Sequence, residues 1–287
     1  MPAMLALVRE MFSDDNNLLY ANSTIDGVFQ IGMLLGISLG GFLMSILSIQ
    51  DILYILLIGS FVAFLVSFGI KPARQVDTNK NGFIENWRTL WIFFEKKHFA
   101  LWFYVSQVGF TCLFMVIPIF IAPYAKNILH ASPWEFGLIE TAFSIGFTIG
   151  CIVLPWLANR NGHVSVVVIN LVMSSFLYLF LAIFHDVMLT IILYFFIGLA
   201  ISSGVIITTL AQKNTDLSLQ GKAQGIGYGL SGILVMIVYS SFFIANLILD
   251  IPDNNWFYFI IVLEALIVYP LIKGYNLQKT LTKSQHS

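Results

Sequence analysis

The sequence predicts an all-α membrane protein, a polytopic bundle of about eight transmembrane helices. Three observations indicate this: 58% of the 287 residues are hydrophobic, only 10% are charged, and the apolar residues come in long runs. A soluble domain carries roughly 25% charged residues, and its surface helices are apolar on one face only. Helices that are apolar on all sides belong in lipid, so we expect a multi-pass protein of the inner cell membrane.

Each long apolar run bounded by charged residues, proline or asparagine is interpreted as one span. A bilayer core about 30 Å thick requires roughly 20 helical residues. Eight runs of suitable length follow one another, at 23–46, 52–70, 99–122, 134–157, 164–184, 188–211, 223–249 and 256–272. With eight spans, both termini lie on the same side of the membrane.

The basic residues predict which side that is. The connections between eight spans form two alternating sets, and one set holds every one of the 14 lysines and arginines except Lys126. Loops that are rich in lysine and arginine resist translocation. We therefore expect this set, together with both termini, to be cytoplasmic.

The one long cytoplasmic connection contains an amphipathic segment. Trp87, Leu90, Trp91 and Phe94 share one helical face, and charged residues such as Arg88 lie elsewhere. This pattern is typical of a helix that lies in the membrane interface. The alternative is a solvated linker that happens to carry apolar residues.

Bulk charge and motifs exclude other classes. The formal net charge of -1 gives no reason to expect a nucleic-acid partner. The sequence holds no His-Glu-x-x-His, no Gly-x-x-x-x-Gly-Lys-Ser/Thr and no Cys-x-x-Cys, so we expect neither an enzyme nor a metal or other cofactor. The expected partners are the lipid bilayer and a small-molecule substrate.

Glycines in the first predicted span resemble a known motif. Gly32, Gly36, Gly40 and Gly41 match the Gly-x-x-x-Gly-Pro-x-x-Gly-Gly signature in the fifth helix of proton-driven antiporters of the major facilitator superfamily. The match departs at Ile37, where that family has proline, so a helix kink is weakened here.

Two further segments fit the same superfamily. The segment Asn159, Arg160, Asn161, Gly162, His163 is similar to the loop between helices eight and nine, in a degenerate form. Residues 220–225 are similar to the start of the eleventh helix. The resemblance aligns the eight spans with helices five to twelve, so the N-terminal helices are missing from this alignment.

This alignment implies three parts of the chain. Residues 1–72 are a remnant of the N-terminal half with two transmembrane helices, 73–97 are the cytoplasmic linker with its interfacial helix, and 98–287 are the C-terminal six-helix half with a cytoplasmic tail. The resemblance implies an efflux-type permease of a small amphiphilic molecule, proton-coupled when complete. Rocking of one half against the other needs both halves, so we expect transport to require a second chain or a second copy. The alternative is a truncated, non-transporting membrane protein or a helical partner of another transporter.

Small residues four apart predict helix packing. The stripe of Gly32, Gly36 and Gly40 allows another backbone to approach closely, as membrane helices require. Ala142, Gly146 and Gly150 repeat this spacing in the fourth span. Because the superfamily resemblance implies contact between helices five and eight, we expect these two stripes to face each other.

Polar residues inside the spans are the candidates for substrate or proton binding. Ionisable groups in membrane helices are costly and usually mark function. The candidates are Glu140, Glu264, Gln107 and Asn170, whereas we expect Asp26, near the cytoplasmic start of the first span, to cap a helix or to pair near the surface with a residue such as Arg160. Each has a structural alternative: a hydrated position near the interface for Glu140, a bond within the bundle for Glu264, and interhelical hydrogen bonds for Gln107 and Asn170.

Overall fold

The computed structural model describes residues 2–12, 14–69, 82–249 and 251–286. Every regular element in these ranges is helical, which confirms the predicted fold class. The α-helices of the described ranges are α1 (Pro2–Met11), α2 (Asp15–Ile46), α3 (Ile49–Ser67), α4 (Phe83–Lys96), α5 (His98–Pro123), α6 (Pro133–Asn161), α7 (His163–Ile183), α8 (Val187–Ile201), α9 (Gly204–Lys213), α10 (Gln220–Leu249) and α11 (Trp256–His286).

Seven helical segments of the described residues are long and apolar enough to cross a membrane. They are Ile49–Ser67, His98–Ile128, Pro133–Asn161, His163–Ile183, Val187–Lys213, Leu217–Leu249 and Asp253–Leu281. The remaining predicted span, 23–46, forms the C-terminal part of the 32-residue helix α2. The chain is therefore a multi-pass membrane protein.

Local sequence signals set the ends of several helices. Ser48 and Ser132 each cap a helix through a reciprocal capping box, with Asp51 and Glu135 respectively. Gly162 joins α6 to α7 in a single residue with a φ of 92°. That backbone conformation favours glycine, so α6 and α7 are held as an antiparallel pair.

Helices α5 to α11 form one bundle around a common apolar core. Within it α6 packs on α8, α5 lies between α10 and α11, and α7 contacts both α8 and α11. Helix α2 packs against α6 and α9, and α1 lies on α10. Helix α3 touches α2 and buries none of its residues.

The small-residue stripe of α6 faces α8, so the predicted pairing with the glycines of α2 is wrong. A Cβ atom added to Gly146 would lie 1.9 Å from the carbonyl oxygen of Phe195, and one added to Gly150 would lie 2.0 Å from Ser202 Oγ. Gly198 of α8 is equally close to the backbone of Phe143. Spacing predicts a close approach but not the identity of the approaching helix.

Helices α2 and α6 do meet, but through other residues. A Cβ atom added to Gly27 would lie 3.5 Å from Cys151 Cβ. Gly32 and Gly36 have no described atom within 4 Å of such a Cβ, and Gly40 and Gly41 lie in the same helix. The contact predicted between these two helices is present, at the first half of α2.

The sixth predicted span, 188–211, falls within the membrane-capable segment Val187–Lys213, which a two-residue turn divides into α8 and α9. Helix α8 ends at Ile201 and α9 begins at Gly204. The amide groups of Ser202 and Ser203 bond to the carbonyl oxygens of Gly198 and Ala200. Both serines are buried, so the break lies inside the bundle.

Only part of the predicted linker is described. Its amphipathic segment forms α4, which packs on α5 and α10. The predicted boundary between residues 72 and 73 lies in 70–81, outside the described residues.

Candidate functional site

A polar stripe runs along the first half of α2. Asn22, Asp26 and Gln30 are four residues apart and therefore lie on one helical face. Asn22 and Gln30 are buried at 2% and 1% exposure, and Asp26 is half-buried. This face lies in the contact with the C-terminal bundle. Burial of polar and ionisable groups inside a membrane protein costs free energy, and such groups usually have a functional role.

Asn22 ties the start of α2 to the end of α9. Its amide nitrogen donates to Thr209 Oγ1 at 2.9 Å and to Gln212 Oε1 at 2.6 Å. The amide of Gln212 in turn donates to the carbonyl oxygen of Leu5 in α1 at 3.0 Å. We call these four residues the α2–α9 clasp.

The other two stripe residues face α6 and α10. Gln30 Nε2 donates to Ser144 Oγ of α6 at 3.2 Å. Asp26 lies within electrostatic range of Cys151 of α6 and Tyr228 of α10. The carboxylate therefore lies on a helix that packs closely against α6.

The α2 face carries acceptor oxygens that lack a donor. Asn22 Oδ1, Ser23 Oγ and Gln30 Oε1 are buried and have no hydrogen-bond partner among the described residues. A buried polar atom without a partner costs roughly 1–3 kcal/mol. Together with the Asp26 carboxylate, these oxygens are the hydrogen-bond acceptors on this face of α2.

Gln107 is engaged with a neighbouring helix. Its Nε2 donates to Gln224 Oε1 at 2.9 Å, which joins α5 to α10. Both side chains are buried. Asn170 bonds within its own helix, from Nδ2 to the carbonyl oxygen of Val166 at 2.8 Å.

Glu264 is buried in the C-terminal bundle at 1% exposure. Its two carboxyl oxygens each lie 2.5 Å from a serine hydroxyl, Ser174 Oγ and Ser175 Oγ. Both hydroxyls also lie within hydrogen-bond distance of the Leu171 carbonyl oxygen, at 3.0 and 2.9 Å. Two hydroxyl hydrogens cannot serve all four contacts at once, so the serines divide them between Glu264 and the Leu171 carbonyl oxygen.

Two buried tyrosines lie in the region of Glu264 and Glu140. Tyr178 lies within electrostatic range of both carboxyl groups, and its buried hydroxyl has no partner among the described residues. Tyr194 is also near Glu140. Glu140, Tyr178, Tyr194 and Glu264 thus form an acid and tyrosine cluster contributed by α6, α7, α8 and α11, separate from the α2 stripe.

The predicted cytoplasmic loop motif is part of a tight turn. Asn159 and Arg160 lie in the last turn of α6, and Gly162 supplies the turn itself. The Arg160 guanidinium lies 5.8 Å from the centre of the Trp156 ring. The described residues hold no group of three histidine, cysteine or acidic side chains that could bind a metal ion.

The α2 stripe is the feature that inspection of single residues missed. Its signal is present in the sequence, because Asn22, Asp26 and Gln30 recur every four residues in an otherwise apolar helix. The partners of the stripe come from segments more than 100 residues away, so their identity is tertiary information.

A bundle of long apolar helices with polar side chains between its members is typical of a polytopic membrane protein that moves a solute. Residues 1–240 match the family model of the Major Facilitator Superfamily. The chain belongs to this superfamily, whose function is transmembrane transport. No curated protein matches the chain.

Proposed function

We propose that the chain serves an efflux-type permease that exports a small amphiphilic molecule in exchange for protons. The α2 polar stripe carries this proposal. It lies between the segment equivalent to the N-terminal half and the C-terminal bundle, where the substrate of a rocking transporter is bound. Its free acceptor oxygens favour a substrate with hydrogen-bond donors, and its carboxylate favours one with positive charge.

Three acidic residues are candidates for the proton site. Asp26 is beside the acceptor oxygens, so substrate and proton would compete there directly. Glu140 and Glu264 lie in the acid and tyrosine cluster, so protonation there would act through helix packing. Acidic residues inside membrane spans form proton relays in pumps and transporters, which is a role open to all three.

The test uses inside-out membrane vesicles from cells that make the chain, with ethidium as the amphiphilic cation. Energised vesicles should accumulate ethidium faster than vesicles without the chain. Asp26→Asn, Glu140→Gln and Glu264→Gln are then compared in two assays, uptake driven by a pH gradient and exchange of external for internal ethidium without a gradient.

The two assays separate the roles of the acids. A residue that carries the coupling proton loses gradient-driven uptake and keeps exchange, whereas a residue that only binds substrate loses both. We expect Asp26→Asn to lose gradient-driven uptake. Unchanged uptake in all three variants would refute proton coupling at these residues, and absence of any uptake would refute export of this class of substrate.

A second candidate function is that of a helical partner of another transporter chain or of a second copy. Helix α3 buries no residue, and Gly221, Gly225 and Gly229 of α10 have no described atom within 4 Å of an added Cβ. Stripes of small residues support close helix association in membranes. The purified chain can be placed in liposomes and its oligomeric state measured by single-molecule photobleaching. If the chain is monomeric and the liposomes still take up ethidium, transport requires no second chain.

A further inference from the structure

A cavity of about 220 Å³ lies where α4 crosses α5 and α10, remote from the α2 stripe. From α4 it is lined by Trp87, Leu90, Trp91 and Phe94, the face that the sequence marks as amphipathic. From α5 it is lined by a matching stripe that includes Leu101 and Val105. We call this cavity the α4 groove.

The α4 groove is open on one side. Trp87 and Trp91 are 38% and 52% exposed, and Val105 is 41% exposed. On the opposite side, Leu90 and Phe94 are buried in a small apolar cluster with Tyr104. Helix α4 is thus fixed along one edge, and its tryptophan edge stands away from α5.

Almost no polar atom lines the groove. The Tyr104 hydroxyl already donates to the Ala223 carbonyl oxygen at 2.9 Å. The indole N–H groups of Trp87 and Trp91 are the remaining side-chain polar atoms of the lining. Water needs two to four polar partners to occupy a cavity, so an apolar chain fits this space better than water does.

The position of the groove identifies the source of that chain. Helices α5 and α10 are membrane spans, so the exposed wall at Val105 is continuous with the lipid-facing surface. Tryptophan is enriched where the membrane meets water, because its ring is apolar and its N–H can bond to headgroups. Arg88 is exposed and lies three residues before Trp91 on the same helix, so it is a neighbour of Trp91 on the helix surface and offers a cation to a headgroup phosphate.

We propose that the α4 groove is a binding site for one acyl chain of an anionic phospholipid, with its headgroup beside Arg88. At the other end of α4, the ammonium of Lys97 pairs with Asp216 at 2.8 Å and lies 5.0 Å from the Phe93 ring. The bound chain completes the packing of α4 against the bundle.

The test places the full-length chain in nanodiscs that contain phosphatidylglycerol with a diazirine on one acyl chain. After irradiation, adducts are mapped by peptide mass spectrometry. We expect adducts at Trp91, Leu101 and Val105 that persist when unlabelled lipid is added in excess. Labelling of the ordinary lipid-facing surface at Val172 of α7, 46% exposed, should fall on the same dilution.

Two pairs of variants sharpen the result. Val105→Trp fills the groove and should lose most of the persistent labelling, whereas Val172→Trp should keep it. Arg88→Gln should lower the preference for phosphatidylglycerol over phosphatidylcholine about fivefold, and Glu85→Gln on the same helix should not. Melting temperatures and the labelling at Val172 show that each variant is folded.

Three outcomes would overturn the proposal. Labelling of the groove could fall as much as labelling at Val172 when unlabelled lipid is added in excess. It could also remain unchanged in a folded Val105→Trp variant. Protein-to-protein crosslinks at Trp91 in place of lipid adducts would mean that a second copy occupies the groove.

Discussion

The side-chain amide of Asn22 in α2 donates to Gln212 Oε1 in α9 at 2.6 Å, across 190 positions of sequence. Both side chains are almost completely buried. Gln212 also bonds to α1, so one glutamine holds both N-terminal helices. The α2–α9 clasp therefore joins α1 and α2 to the C-terminal bundle through a few buried polar groups.

Replacement of Asn22 by leucine should open the clasp. The oxygens of Thr209 and Gln212 lose their shared donor, and burial without a partner costs about 1–3 kcal/mol. A lower melting temperature in detergent would show this. Thr24→Val is the control, because Thr24 is exposed and bonds only to Tyr20 of its own helix. Equal melting temperatures for the two variants would contradict the clasp.

Gly146→Ala should destabilise the contact between α6 and α8. The added methyl would collide with the Phe195 backbone, and overpacking costs about 1–3 kcal/mol. Gly32→Ala is the matched control, since open space surrounds that position and alanine favours a helix by up to about 1 kcal/mol. The two alanines should thus shift the unfolding midpoint in opposite directions, and a shared direction would refute this account.

Removal of both serines beside Glu264 should lower the free energy of unfolding, and replacement of Glu264 by leucine should restore it. In the double variant Ser174→Ala with Ser175→Ala, the buried carboxyl loses its partners, at a cost of about 1–3 kcal/mol. Addition of Glu264→Leu replaces the whole polar group by apolar atoms and should restore most of the stability. Denaturant unfolding in mixed micelles measures both, and a triple variant no more stable than the double variant would disprove this role of the serines.

Single cysteines should report the predicted orientation. Cys112 and Cys151 are buried, so new surface cysteines can be distinguished from them. In intact cells an impermeant maleimide should label Lys126→Cys and His185→Cys, and should reach Ser218→Cys and Lys279→Cys only after the membrane is opened. Labelling of Ser218→Cys in intact cells would contradict the predicted orientation.

The sequence alone predicts those features that depend on local pattern. The apolar runs predict the spans because hydrophobic length is a local property, and the period of Trp87, Leu90, Trp91 and Phe94 predicts α4. The break at Ser202 and Ser203 escapes this reasoning, because no charged residue, proline or asparagine interrupts the run from 188 to 211.

Partners in space are harder to predict than helices. The spacing of Gly146 and Gly150 indicates a close approach, but a helix in a bundle has several neighbours and the spacing fits each of them. Glu264 is recognisable as a costly buried acid, whereas the two serines that bond to it lie about 90 residues earlier. Such pairs become visible only when α7 and α11 are seen side by side.

The turn between α8 and α9 divides one membrane span into two helices that have different neighbours. Helix α8 packs closely against α6 at glycine positions where a side chain would collide with the opposite helix. Helix α9 instead carries Thr209 and Gln212 of the α2–α9 clasp. The amides of Ser203, Val205 and Ile206 bond to carbonyl oxygens three residues earlier, so the α-helical ladder is already interrupted at the start of α9. The α9 half of this span therefore contacts both the bundle, through α5, and the first long helix, α2.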